Sequence, residues 1–394
     1  MNYPTSISDK TQRGFTDEEF EQRANRAQVA MRNEKLDALL LTTEPEIRYF
    51  TGFHTQFFKS PTRPWFVVLP LEGKPTAVIP EIGASGMASC WVNDVHTWAS
   101  PQPEDDGISL LAKTIKNLRV QFGRIGVAIG VESNLRMPFA NFQSLVGCID
   151  MTIVDSALLL HQLRFIKSLA EIEKISTACR IVSDAFEVVA LNSTEGDSEI
   201  AVCRRMKIDI LERGADNIPY MVAGSGHGGY DSIIMGPTNR ILGAGDILII
   251  DTGTIFDGYF CDFDRNFAFS YLPDDVARAH ETVYRATDAG FRAAYPGATT
   301  SDVWTAMWKE LERGGSLGST VGRMGHGLGM ELTEWPSVKY DDDTVLQPGA
   351  ILTLEPGMEF APGKQLVHEE NIVITSSGAE YLSKRAPQQM HIVK

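Results

Sequence analysis

Residues 246–269 read DILIIDTGTIFDGYFCDFDRNFAF. The run ILIID is a strand ending on Asp251, and GYFCDFDRNFAF carries Asp262 in a second strand. The eleven-position step between the two aspartates is long enough for a hairpin, and the two-residue period of strands keeps both carboxylates on one face. Taken alone, two aspartates at strand ends are equally well explained as turn residues. Three acidic or imidazole positions downstream change that balance. His326 lies in GRMGHGLGMELTEWP, where Gly325, Gly327 and Gly329 clear side chains from around the ring and allow close backbone approach or positive φ. Glu355 ends the strand ILTLE, and Pro356–Gly357 turns the chain sharply behind it. In LVHEENIVIT, alternation puts Glu369 on one side with Val367, Asn371 and Val373, and Glu370 on the other with His368 and Ile372, without choosing between the glutamates. Four carboxylates with one imidazole are what a pair of divalent ions needs, because the charges nearly cancel and hard oxygen donors suit Mn, Fe, Co or Zn.

The rest of the chain frames this set. Its 394 residues, 43% hydrophobic and 22% charged, can bury a large core and are expected to form two domains. A net charge of -15 argues against nucleic acid or an anionic membrane surface as a partner, since both reward clustered Lys and Arg. No apolar run approaches the roughly 20 residues of a membrane span, and MNYPTSISDKTQRGF lacks a basic-then-apolar signal pattern, so a cytoplasmic location is expected. Cys90, Cys148, Cys179, Cys203 and Cys261 are odd in number and never in CxxC spacing, which fits reduced thiols.

Upstream, Thr16 and Glu19 form a capping-box pattern before an amphipathic helix, and the β-rich runs ALLLTT, RPWFVVLP, PTAVIP, RIGVAIG and MTIVDS alternate with helical stretches near 81–90, 107–121 and 136–146. That alternation predicts an α/β domain over 1–160. A second capping box, Ser168 with Glu171, opens a helix towards residue 192 in a domain expected over 161–394. There, strands separated by helices near 197–213, 273–293 and 301–312 suit an α+β layout, with helices on one face of a mainly antiparallel sheet.

In order and spacing, IIDTG, CDFDRNF, GHGLG, LEPGM and the glutamate six residues before Thr375 resemble the methionine aminopeptidase, aminopeptidase P, prolidase and creatinase superfamily. The resemblance implies an α+β pita-bread catalytic domain behind an α/β creatinase-like N-terminal domain, with the latter's start at RANRAQVAMRNEKLDALLLTTEPEIRYFTGF and its join at LRFIKSLAEIEKI. It also chooses Glu369 over Glu370, so that the implied metal ligands are Asp251, Asp262, His326, Glu355 and Glu369. Two divalent ions, a homodimer whose partner N-terminal domain closes over the pocket, and Glu355 as the group that passes the nucleophile's proton to the leaving nitrogen follow by the same implication.

The peptide-handling layer departs from this family. Where peptidases carry histidines 17 residues before the first Asp, four before the metal His and seven after it, this chain has Ile234, Gly322 and Thr333. Thr333 is therefore a candidate at the catalytic rim, and His227 and Tyr230, with Asp231, are candidate replacement donors in the Gly-rich AGSGHGGYDSIIMGP. The same residues read equally well as an ordinary surface loop. Asp264 stands where peptidases usually have Thr and shares the face of Asp262, as an outer acid or an added ligand neutralised by Arg265. In FHTQFFKSPTRPWF, Arg63 and Trp65 are substrate-binding candidates, Arg63 gripping a carboxylate bidentately, against the alternative of a local aromatic core. Trp335 joins them because a similar EWP occurs in dimethylsulfoniopropionate lyases of the superfamily, although the extra Asp of those lyases is Gly253 here. The expected function is dinuclear metal-dependent hydrolysis of a peptide or amide-like C–N bond in a dipeptide or small N-substituted amino acid. The alternatives are elimination on a small osmolyte-like substrate and ligand binding without catalysis.

Overall fold

The computed structural model describes residues 11–318 and 322–394, which fall into two compact units. One is Gly14–Arg164; the other is Phe165–Lys394 together with the segment ending at Arg13. That segment is pinned to the second unit by the Arg13–Asp216 ion pair (2.8 Å) and by Lys174 Nζ, which donates to the carbonyl of Gln12 at 2.6 Å.

The N-terminal unit is built on strands β1 (Ala38–Leu41), β2 (Phe66–Pro70), β3 (Thr76–Pro80), β4 (Asp94–Trp98), β5 (Arg124–Val127) and β6 (Thr152–Asp155) in the order β4-β3-β2-β1-β5-β6. β1 pairs antiparallel with β2 and parallel with β5, giving the mixed sheet of an α/β layer. Leu40, Phe66, Val68, Val78, Leu111 and Ile125 form its core with helix Ile108–Lys116. Helix Asp17–Glu34 begins where Thr16 accepts the Glu19 N–H, but Glu19 turns to Arg23 instead of closing the capping box. β4 has no apolar alternation to announce it, being largely exposed.

Asp37 anchors this unit. Its buried carboxylate accepts the N–H groups of Gln121, Phe122, Gly123 and Arg124 at 2.6–3.2 Å, tying the turn before β5 to the start of β1.

In the second unit the capping box of Ser168 and Glu171 is complete, and helix Leu169–Val189 follows it. Strands β7 (Asn217–His227), β8 (Asp246–Phe256), β9 (Tyr259–Phe260), β10 (Phe263–Phe269), β11 (Gly325–Gly327), β12 (Glu334–Ser337), β13 (Ile351–Leu354), β14 (Gly357–Ala361), β15 (Lys364–Val367), β16 (Glu370–Thr375), β17 (Gly378–Tyr381) and β18 (His391–Val393) complete it. The single sheet expected from the sequence is in fact two: one ordered β18-β10-β8-β7 with β9 on β8, the other β12-β11-β13-β16-β17, beside the hairpin β14-β15. One face of the first sheet packs on helix Leu169–Val189, with Phe186 against Phe263 and Phe267. On the other, Ile247, Ile249 and Ala268 join Leu352, Leu354 and Ile372 of the second sheet in the main apolar cluster. The buried face of β8 that carries Ile247 and Ile249 also carries Asp251, so the site grows directly out of the core.

Replacing Asp37 by Ala removes the acceptor of four part-buried or exposed N–H groups, and a loss of about 2 kcal/mol from the N-terminal unit is expected. A lowered denaturation midpoint, with Asp37→Asn falling in between, checks it.

Candidate active site

β8 and β10 run antiparallel with Asp251 directly opposite Asp264, so Asp262, just before β10, lies one pleat further along the same face. Three acidic residues then converge: oxygens of Asp251, Asp262 and Glu369 all lie within 4.8 Å of one another, and all three residues are buried. His326 Nε2 is 3.2 Å from Asp262 Oδ2 and 4.0 Å from Glu355 Oε2. The five side chains singled out from the sequence thus come from five separated segments and meet in one pocket of the C-terminal unit.

The local chain explains each placement. LVHEENIVIT is not one strand. It breaks after Val367 and resumes at Glu370, which leaves His368 and Glu369 between β15 and β16. Glu370 turns away to Arg265 (3.1 Å), Arg385 (3.2 Å), the Ala386 N–H (2.9 Å) and Ser383, and is fully satisfied there. Glu369 faces the aspartates instead. Gly325 next to His326 has φ +148°, and a Cβ on it would come within 2.2 Å of the Thr353 carbonyl; one on Gly327 would come within 2.3 Å of the Trp335 carbonyl. The glycines therefore let β11 slot between β12 and β13, and the Gly327 carbonyl accepts a hydrogen bond from His326 Nδ1–H at 2.8 Å, leaving the Nε2 lone pair to face the acids.

Residues that no sequence pattern flagged hold this geometry. Asn371 is wholly buried: its Oδ1 accepts the Asp262 N–H at 2.9 Å and its Nδ2 donates to the Asp262 carbonyl at 2.6 Å. It clamps the end of one sheet to the other. Tyr220, beside Asp251 on β7, donates its hydroxyl to Asp251 Oδ2 at 2.7 Å. Arg323 lies 3.4 Å through Nε from Glu355 Oε1 and donates through Nη2 to Thr333 Oγ1 at 3.2 Å. Only contacts across 30 or more intervening residues distinguish Asn371, Tyr220 and Arg323 from any other Asn, Tyr or Arg.

Electrostatically the pocket is overloaded with negative charge. Burial, with Asp262 nearby, pushes Asp251 well above the aspartate range; burial pushes Asp262 up to about 8 and also raises Glu355 and Glu369. Burial lowers His326, favouring the neutral imidazole that ligates metals. Asp251 Oδ1 is buried without a hydrogen-bond partner. Clustered buried oxygens, one of them orphaned, beside an unprotonated ring nitrogen fit a divalent cation, and Asp251, Asp262, His326, Glu355 and Glu369 are the residues that would hold it.

The other sequence candidates are placed as follows. Thr333 is exposed and bound to Arg323, at the rim of the pocket. Ile234 is also exposed, and a side chain at Gly322 would meet nothing within 4 Å. His227 pairs in register with Asp246, five residues along β8 from Asp251 and so about 17 Å away. Tyr230 is corrected from donor to structural pin: fully buried, it donates to Asn266 Oδ1 at 3.0 Å and accepts the Val367 N–H at 2.9 Å. Arg265 makes no ion pair with the Asp264 carboxylate: it donates to the Asp264 main-chain carbonyl at 2.6 Å and pairs with Glu370, and its nearby charge only partly offsets the burial that raises Asp264. In the N-terminal unit Trp65 is enclosed between Phe53 and Phe58 with Gly83 against it, a core residue and not a substrate contact, whereas Arg63 is half-buried with its guanidinium 5.6 Å from the Phe57 ring. Trp335 is half-buried, edge-on to Phe165 with ring centres 5.0 Å apart.

Known proteins share this layout. The chain is similar to the probable dipeptidase PepE of Mycobacterium tuberculosis, 27% identical over 97% of this chain and 98% of that protein. It is also similar to the Xaa-Pro dipeptidase of Pyrococcus furiosus, 28% identical over 65% of this chain and 73% of that one. The crystal structure of dipeptidase PepE from Mycobacterium ulcerans superposes with a TM-score of 0.83 at 25% identity, covering 96% of this chain and 99% of that one. Residues 23–166 match the Creatinase/Prolidase N-terminal domain. Residues 173–376, more than half the chain and all five clustered donors, match metallopeptidase family M24, and the chain belongs to that family, a creatinase-like domain followed by a pita-bread metallohydrolase domain.

Proposed function

We propose that this chain is a divalent-metal-dependent dipeptidase of prolidase-like character, which hydrolyses the C–N bond of a dipeptide or a small N-substituted amino acid. The observation that carries the reading is the buried group Asp251, Asp262 and Glu369, with oxygens within 4.8 Å and His326 Nε2 beside it. Away from water, such a group must be neutralised, by protons when no cation is bound and by cations when they are present, and oxygens this close suit the latter. Five donors suffice for two ions, and their oxygen-rich character suits Mn, Fe, Co or Zn. When bound, the ions supply Lewis acidity, which acidifies water and polarises a substrate carbonyl.

The chain's own groups supply the remainder. Glu355, raised by burial, is suited to take a proton and return it to the leaving nitrogen. Arg323 steadies that carboxylate from 3.4 Å and brings positive charge to the rim, where a carbonyl oxygen becomes negative during attack. This guanidinium, tied to Thr333, adjoins Gly322 and stands in the region where related peptidases use histidines. Relatives named dipeptidase and Xaa-Pro dipeptidase support the substrate class. Elimination has no comparable support: the position that carries an added acid in the lyases is Gly253 here, which offers no side chain to the site. Ligand binding without turnover does not explain five intact donors.

A panel of Xaa-Pro and other dipeptides, N-acyl amino acids and osmolytes, assayed with Mn, Fe, Co and Zn forms in oxygen-labelled water, tests the proposal. Dipeptide cleavage with one labelled oxygen in the new carboxylate is expected; an unlabelled alkene product, or no cleavage of any dipeptide, would sink it.

Asp262→Ala should abolish stoichiometric metal uptake and turnover. Metal-free, the same variant should melt higher than the parent at pH 8. A carboxyl raised from 3.8 to about 8 on folding binds its proton more tightly in the folded state, so the metal-free parent loses stability as pH climbs between those values. Melting curves at pH 5 and pH 8, with a smaller drop in the variant, check the sign.

A further inference from the structure

One acid in the pocket has no assigned purpose. Asp264 sits two residues beyond Asp262, and the β8–β10 register sets it directly opposite Asp251. Side chains so opposed on one face have Cβ atoms about 4.5–5.5 Å apart. Asp264 is completely buried. Its Oδ1 accepts the Glu369 N–H at 3.1 Å, and so holds a metal-ligand candidate by its main chain. Its Oδ2 is buried without a partner, as is Oδ1 of Asp251 across the ladder.

The nearby cations are committed elsewhere. Arg265 gives its donors to the carbonyls of Asp264 (2.6 Å) and Glu369 (3.0 Å) and to Glu370. Arg385 pairs with Glu370 and with Asp288 at 3.0 Å. His368 Nδ1 stays 3.8 Å from Asp264 Oδ1, outside hydrogen-bond distance. Other buried acids in this chain show what a purely structural carboxylate looks like. Asp37 fills both oxygens with main-chain N–H groups, and Glu370 fills both with Arg265, Arg385, Ser383 and the Ala386 N–H. Asp264 does not follow that pattern.

We propose that Asp264 is a sixth protein ligand of the metal centre, fixing Glu369 with one oxygen and offering the other, beside Asp251, to the cation. The inference rests on the metal-dependent reading above. Four carboxylates already balance two divalent ions; a fifth makes the site more negative than a neutral side chain there would, which tightens its hold on hard, oxygen-preferring ions. Removing a ligand therefore weakens metal binding and alters the coordination sphere. Removing a support for Glu369 can also weaken binding, but it leaves the set of ligating atoms, and so the Co(II) band, unchanged.

Asp264→Asn keeps the shape and an oxygen for the Glu369 N–H while deleting the charge; Asp264→Thr is the shorter neutral control. Parent and variants, stripped of metal, are titrated with Mn(II) against a chelator, their Co(II) forms are compared by visible absorption, and their metal-free melting temperatures are recorded. The expected result for Asp264→Asn is at least tenfold weaker Mn(II) binding, a Co(II) band changed in position and intensity, and a metal-free melting temperature at or above the parent's. Unchanged affinity, or weaker affinity with an unchanged Co(II) band, would overturn ligation and leave Asp264 as a support for Glu369. Should the parent itself take up neither ion, the metal-dependent reading falls first, which separates its failure from that of Asp264.

Discussion

Mutual repulsion among buried carboxylates governs the catalytic unit. Asp251, Asp262 and Glu369 lie within 4.8 Å of one another where water cannot screen them, with Asp264 opposite Asp251 and Glu355 4.0 Å from the His326 nitrogen that also faces Asp262. Such a group forms only if the surrounding fold is strong enough to hold it and protons or cations neutralise it. The surroundings meet the first condition. Ile247 and Ile249 anchor β8 in the main apolar cluster, and β11, β13 and β16 are knitted into a second sheet at its edge. The second condition is the chemical opportunity, because the need for cations is what makes the pocket reactive.

A division of labour among arginines follows from the same constraint. Arg265 and Arg385 hydrogen-bond to Glu370 behind the site and make no ion pair with the inward-facing acids. Arg323 touches Glu355 from the open side and keeps about a third of its side chain exposed. Positive charge is thus kept away from the space between the aspartates and allowed only at the rim, where a substrate would arrive.

Much of this was legible in the residues. The apolar run into Asp251, the return strand through Asp262, the glycines around His326 and the Pro–Gly turn after Glu355 each announce local geometry that short-range rules describe. What escaped was long-range. Alternation could not choose between Glu369 and Glu370 because LVHEENIVIT is broken at His368, and a break in mid-run has no signature when β-branched residues continue beyond it. Trp65 and Tyr230 looked like ligands for substrate because aromatic and Gly-rich segments carry sites as readily as cores; only Trp65's enclosure and Tyr230's bonds to Asn266 and Val367 distinguish the cases. The division into two sheets was hidden because each strand reads the same whichever sheet receives it.

The Asn371 clamp has a consequence for how such a centre is charged and discharged. An amide has no proton to gain or lose near neutral pH, so its two bonds to the Asp262 main chain persist whether the carboxylates are ionised, protonated or coordinated. The ladder that positions Asp251 is likewise made of peptide groups. The backbone that carries the acids is therefore held by groups that do not titrate, and its outline does not depend on the charge of the carboxylates.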